Sequence, residues 1–101
     1  MPITFGLGYD IKEEYVEEFM KTSKETLALM NTMEGHVKTF LYRDAFKPNS
    51  FLIYSEWKTN EDFTKFMKSK EFKDVQTLGE DMLAGPPRHT MYESRNMSRR
   101  G

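Results

Sequence analysis

The hydrophobic positions of this chain change period several times, and each change marks an element. Ile3, Phe5, Leu7, Tyr9 and Ile11 alternate with Thr4, Gly6, Gly8 and Asp10, the period-2 pattern of a strand buried on one face. Its other face is nearly bare, and glycines within a strand often mark close approach of another backbone or a ligand. Over 13–33 the period becomes helical: Tyr15, Val16, Phe19, Met20, Leu27, Met30 and Met33 share a stripe, with acidic residues at the start that suit the helix dipole. Gly35 is the predicted stop, since glycine takes the left-handed conformation cheaply. A second strand follows over 36–43, with Val37, Thr39 and Leu41 on one face and Lys38, Phe40 and Tyr42 on the other. Pro48-Asn49 predicts a turn.

The centre of the chain is the run 51–57, Phe-Leu-Ile-Tyr-Ser-Glu-Trp, whose aromatic and β-branched residues predict a central strand. It feeds at once into a helix. Thr59 with Asp62 three residues on fits a capping box, in which hydroxyl and carboxylate satisfy the first free N–H groups, and Phe63, Phe66 and Met67 share a face. Ser69-Lys70 breaks or bends that helix, after which Phe72, Val75 and Leu78 resume a buried stripe. Residues 79–87 form a loop in which Met82 and Leu83 act as lid or plug, and 88–93 make a fourth strand. The order strand, helix, strand, strand, helix, strand predicts an α+β, ferredoxin-like βαββαβ domain over residues 1–93. Two helices then cover one face of a four-stranded antiparallel sheet. Residues 94–101, with three arginines and no pattern, are expected to be a flexible basic tail.

Composition narrows the classes. At 101 residues the chain supports one core. Fifteen basic against sixteen acidic residues leave a net charge of -1, with no field to attract nucleic acid or an anionic membrane. The strand 51–57 lacks the aromatic-glycine-aromatic motif of an RNA-recognition sheet. No apolar run approaches a membrane span and the N-terminus lacks a signal-peptide layout, so the expected compartment is the cytoplasm. Without cysteine, and with only His36 and His89 as nitrogen ligands, no metal site and no cofactor are expected. Eight phenylalanines, five tyrosines, one tryptophan and eight methionines suit an adaptable core or a pocket for a flat apolar ligand.

Tyr54-Ser55-Glu56-Trp57 with Lys58 and Phe63, the run Ser69-Lys70-Glu71-Phe72-Lys73, and the turn Met33-Glu34-Gly35-His36-Val37 together resemble the antibiotic biosynthesis monooxygenase family of the dimeric α+β barrel superfamily. The resemblance covers residues 3 to about 93 and implies a homodimer with a pocket between sheet and helices in each subunit. Some members oxidise aromatic polyketide-like or quinol substrates with O2 and neither metal nor flavin; others degrade haem, and many have no assigned activity. The haem-degrading branch uses an asparagine, a tryptophan and a histidine at positions matched here by Leu7, Phe66 and Gln76, which depart from it.

The resemblance implies a cofactor-independent monooxygenase acting on a small aromatic; the alternative is a ligand-binding or dimerisation module of the same fold. Oxygenation of this kind needs a base and a shaped pocket. His89 is the first candidate base and His36 the second, against simpler uses in strand pairing and a turn cap. Leu7, Phe63, Phe66 and Trp57 are the expected cavity walls, and Tyr9, Tyr54 and Trp57 could orient a substrate oxygen or simply complete the core. Arg43 and Arg88 could bind a carboxylate or pair with Glu56. The sheet face bearing Thr4, Gly6 and Gly8 is the expected homodimer interface.

Overall fold

The computed structural model describes residues 3–93. Four strands, β1 (Ile3–Asp10), β2 (His36–Arg43), β3 (Ser50–Trp57) and β4 (Arg88–Glu93), form one antiparallel sheet in the order β2-β3-β1-β4. Helices α1 (Val16–Met30), α2 (Asn60–Met67) and α3 (Lys70–Gly79) complete the ferredoxin-like α+β fold, with single 3-10 turns at Glu13–Tyr15 and Glu80–Met82. The basic tail expected over 94–101 lies outside the described residues. No helix among the described residues is long and apolar enough to cross a membrane.

The break at Ser69-Lys70 divides the second helical stretch in two. Thr59 caps α2 by accepting from the Asp62 N–H at 3.1 Å, and Ser69 caps α3 by accepting from the Phe72 N–H at 3.2 Å. The Asp62 carboxylate accepts from the Thr59 hydroxyl rather than from a backbone N–H. Phe72 is buried, but Leu78 is exposed, so the stripe predicted for α3 holds only in its first turns.

Helix α1 ends at Met30, three residues short of the predicted 33. The next turn tightens through Thr32 N–H to Leu29 O and Met33 N–H to Met30 O, both 3.0 Å. Gly35, at φ 82°, makes the turn into β2, and a Cβ there would overlap the Asp62 carboxylate. The face that α1 buries is Phe19, Ser23, Thr26 and Met30, spaced as one helical stripe, while Met20 points to solvent. Two of these four are polar, which an apolar stripe could not predict.

In β2 the register slips between His36 and Lys38. This bulge leaves Val37 exposed rather than inward and brings the His36 ring onto the Thr39 hydroxyl. The glycine strip of β1 is not bare. Thr4, Gly6 and Gly8 are buried because Leu52 and Thr90 cover Gly6 from the neighbouring strands and Arg88 covers Gly8. The exposed apolar groups of that face belong instead to Phe40, Tyr42 and Leu52, with Tyr54 joining Phe40 and Tyr42 at centroid distances of 6.4 and 6.3 Å.

Two core clusters lie between the sheet and the helices. The larger holds Phe5, Leu7, Met30, Ile53, Trp57, Phe63, Phe66 and Phe72; the smaller holds Ile11, Phe19, Phe51 and Met82.

Candidate functional site: a cavity between the two cores

A cavity of about 540 Å³ opens where the two clusters part, taking Ile53 and Phe72 from one and Phe19 and Met82 from the other. Its volume falls in the range of small-molecule sites. Helix α1 contributes Thr22, Ser23 and Thr26 to one wall, α3 contributes Lys73, Val75 and Gln76 to another, and Tyr9 and His89 come from the sheet. The segment after α3 closes one end. Met82 is buried there, its carbonyl accepts from the Lys12 N–H at 2.8 Å, the Ala84 N–H donates to Asp10 O at 2.8 Å, and Leu83 bridges to Ile11. The loop expected to be lid or plug is therefore pinned to the end of β1 at both sides of Leu83.

Tyr9 and His89 share the helix-facing side of the sheet because strand register puts them there. His89 pairs with Leu7 across β1 and β4, so both point the same way, and Tyr9 stands two residues further along that face. The rings meet nearly edge to face with 6.2 Å between centroids. Burial pushes the Tyr9 phenol up to about 12, so it stays protonated and able to donate. Partial burial also pushes His89 below the ordinary imidazole value, which leaves a neutral ring with one nitrogen free to accept a proton.

The other predicted site residues lie elsewhere. Leu7, Trp57, Phe63 and Phe66 are closed into the larger core, with Phe66 and Trp57 fully buried and stacked at 5.5 Å. Leu7 pairs with His89 and Ile53 but is closed into the core, and the other three lie away from the cavity for a reason of register. Trp57 pairs with Ile3 whereas Tyr9 pairs with Phe51, and six residues of strand separate those ends by about 20 Å. Tyr54 points out of the opposite sheet face. His36 sits at the Trp57 end, edge-on to the indole at 5.1 Å, where partial burial lowers its pKa without bringing it to the cavity. Arg88 forms a two-point pair with Asp10 at 2.8 and 3.3 Å and holds that carboxyl below its usual value; Arg43 donates to Pro48 O and lies over Phe51. Glu56 faces Lys38 at 4.0 Å, so neither arginine takes it as partner.

Ser23 and Thr26 were missed by sequence reasoning, because nothing in a one-dimensional pattern distinguishes an inward serine from a solvated one. Among the described residues no group of three His, Cys, Asp or Glu could hold a metal ion.

Comparison with known proteins bears on this arrangement. The family description "Antibiotic biosynthesis monooxygenase" matches residues 3–78. The chain belongs to that family. The match includes Tyr9, Ser23 and Gln76 and stops before His89. The structure is similar to that of a conserved protein from Methanosarcina mazei Go1, with a TM-score of 0.89 and 22% identity over 94% of both chains. It is also similar to a variant of SnoaB, a cofactor-independent oxygenase from Streptomyces nogalater, with a TM-score of 0.85 and 20% identity over 95% of both chains. In sequence it is 34% identical over 86 residues to a protein of Natronomonas pharaonis and 33% identical over 86 residues to one of Halobacterium salinarum, both named as candidate heme-binding proteins. Those matches take in 85% of this chain but only 14% and 18% of the relatives' lengths.

Proposed function

We propose that this member of the family is a cofactor-independent monooxygenase that converts a small phenol or quinol to a quinone with O2, using His89 as base. The observation that carries the proposal is the pairing of a neutral imidazole with a protonated phenol on one wall of an otherwise largely apolar cavity. His89 takes the substrate's O–H proton, and the electron-rich anion reacts with O2 at a ring carbon to give a hydroperoxide. Loss of water then leaves a carbonyl, so one oxygen atom enters the product and the other leaves as water. Tyr9 donates a hydrogen bond to the substrate oxygen as charge develops on it. Phe19, Ile53, Phe72 and Met82 exclude water and hold the ring flat. The experiment is oxygen uptake with a dihydroxyaromatic, compared between the wild type and His89→Ala.

The residues do not suit haem breakdown of the kind described for the related branch. Leu7 and Phe66 are shut in the core, and Gln76, although it lines the cavity, offers an amide where that branch has an imidazole. A second reading, a module that binds an aromatic without turning it over, is favoured by the exposed position of His89 on an edge strand. The relatives' designation as heme-binding agrees with a ligand-binding role, though this chain matches less than a fifth of each.

The protein is proposed to act as a homodimer through the outer sheet face. Exposed Phe40, Tyr42 and Leu52 lie together there, and an apolar sheet face of that extent is seldom left in water. The contact would centre on β2 and β3 rather than on the covered glycines of β1.

A further inference from the structure

The turn between β2 and β3 holds a phenylalanine in water. Phe46 is 93% exposed, yet its backbone is fixed. The Phe46 and Lys47 N–H groups both donate to Asp44 Oδ1, at 2.8 and 3.0 Å, and the turn is closed by Asp44 N–H to Ser50 O at 3.0 Å and Ser50 N–H to Lys47 O at 2.9 Å. These bonds call for an aspartate at 44 and place no demand on the side chain at 46. An aromatic ring on a backbone already ordered loses little freedom on docking, and aromatic residues are enriched at the centres of protein contacts.

The outer sheet face is hollow at the same end. Register lines up Tyr42, Leu52, Gly8 and Arg88 in one row across the four strands, and Gly8 has no side chain to fill the row between Leu52 and Arg88. A trough of about 410 Å³ lies there, bounded also by Thr90 and running out past Ser50. Phe46, on the turn that joins two of these strands, leaves it unfilled.

We infer that Phe46 of each copy seats in this trough of a second copy, so that two identical ring-in-trough contacts anchor the pair and set its symmetry axis. The inference rests on the outer-face homodimer proposed above. The occupant is a second copy because ring and trough lie at one end of one sheet, and a two-fold contact uses the same patch on both subunits. Facing sheets sit about 10 Å apart. With the axis running along β3, the order β2-β3-β1-β4 sets β2 of one copy over β1 of the other, and the 44–49 turn lies over the end of the sheet where Gly8 leaves the trough. An axis across the strands instead brings the turn to the far end, beside the Lys38 and Glu56 pair. Tyr42 and Leu52 belong both to the trough and to the exposed apolar patch, so the seated ring continues the contact already proposed. Arg88, held in place by Asp10, offers a guanidinium against which an aromatic ring can lie.

The test is sedimentation of the full chain over a range of concentrations, with a cross-linking readout beside it. Phe46→Ser is expected to weaken self-association about 10- to 100-fold with unchanged far-ultraviolet circular dichroism, because the ring stands in water in the single chain; Phe46→Trp, which keeps an aromatic, is expected to retain the dimer. The chain has no cysteine, so a mixture of Phe46→Cys and Thr90→Cys chains treated with a short bis-maleimide is expected to give a covalent dimer, and either variant alone much less. Equal self-association of the wild type and Phe46→Ser, or no cross-link from the mixture, would overturn the inference. If Tyr42→Glu still yields monomer in that case, the outer-face homodimer stands without Phe46 as its anchor; a monomeric wild type would remove both.

Discussion

The rings of Tyr9 and His89 stand at 74° to each other across the β1–β4 side of the cavity. Burial acts on the two in opposite chemical senses with one electrical result, since each is held in its uncharged form. A donor phenol beside an acceptor imidazole is a usable pair for moving a proton off a substrate oxygen. Ser23 lines the same cavity from α1.

Tyr9 is expected to ionise late, because burial raises its phenol. In an alkaline absorbance titration one phenol stays protonated until about pH 12, and Tyr9→Phe removes that late step. The raised value means that the folded state favours the protonated ring, so this contribution is intact below pH about 10 and is lost as pH rises from about 10 towards 12. Simultaneous ionisation of every phenol near pH 10 in the folded protein would show that Tyr9 is not enclosed.

The two histidines set the opposite limb. Both are shifted below the ordinary value of 6.5, so the unfolded chain binds protons before the folded one does. Stability is then highest above about pH 6.5 and declines as pH falls from there through the folded-state values. Thermal unfolding is expected to give a lower Tm at pH 5.5 than at pH 7.5, with the gap narrowed in a His36→Gln, His89→Gln double variant. A gap of the same size in that variant would assign the decline to other groups. The Asp10 pair with Arg88 acts in a lower window, because its depressed carboxyl loses its contribution only as pH falls through the acidic range.

Phe66→Ala separates core from cavity wall. The ring is fully buried against Trp57, Phe63 and Phe72 at 5.5, 6.5 and 4.7 Å, and its removal is expected to cost about 3–5 kcal/mol in chemical denaturation. A wall residue lining open space would cost far less. A loss under about 1 kcal/mol, accompanied by a large change in ligand affinity, would return Phe66 to the cavity.

Most of the fold was legible because its signals are local. The edges of β2 and β4, the Thr59 cap, the break at Ser69-Lys70 and the left-handed turn at Gly35 each depend on a few adjacent residues. The site was less legible because its position depends on which end of the sheet each helix covers. Alternation puts Leu7, Tyr9 and Trp57 on one face, but it does not say that α2 seals the Trp57 end while α1 and α3 leave a space beside Tyr9. The bulge after His36 and the inward turn of Ser23 and Thr26 are likewise tertiary facts. Polar residues carry no periodic signal until the neighbour they face is known.

The outer sheet face yields a separate prediction. Tyr42 is half-exposed beside Phe40 and Tyr54, and Tyr42→Glu places a charge in the proposed homodimer contact. Sedimentation is expected to show a dimer for the wild type and a shift towards monomer for the variant, with the far-ultraviolet circular dichroism unchanged. A wild type that is monomeric at high micromolar concentration would remove the proposal.

Oxygen uptake with 1,5-dihydroxynaphthalene, in the presence of a metal chelator, tests the central claim most directly. The wild type is expected to consume O2 well above the protein-free rate, with a hydroxynaphthoquinone as product and a rate that rises with pH as His89 becomes neutral, below the ordinary imidazole value of 6.5. His89→Ala is expected to lower the rate by about 10² to 10⁴, with His36→Ala close to wild type. Equal rates for the wild type and His89→Ala would contradict the account.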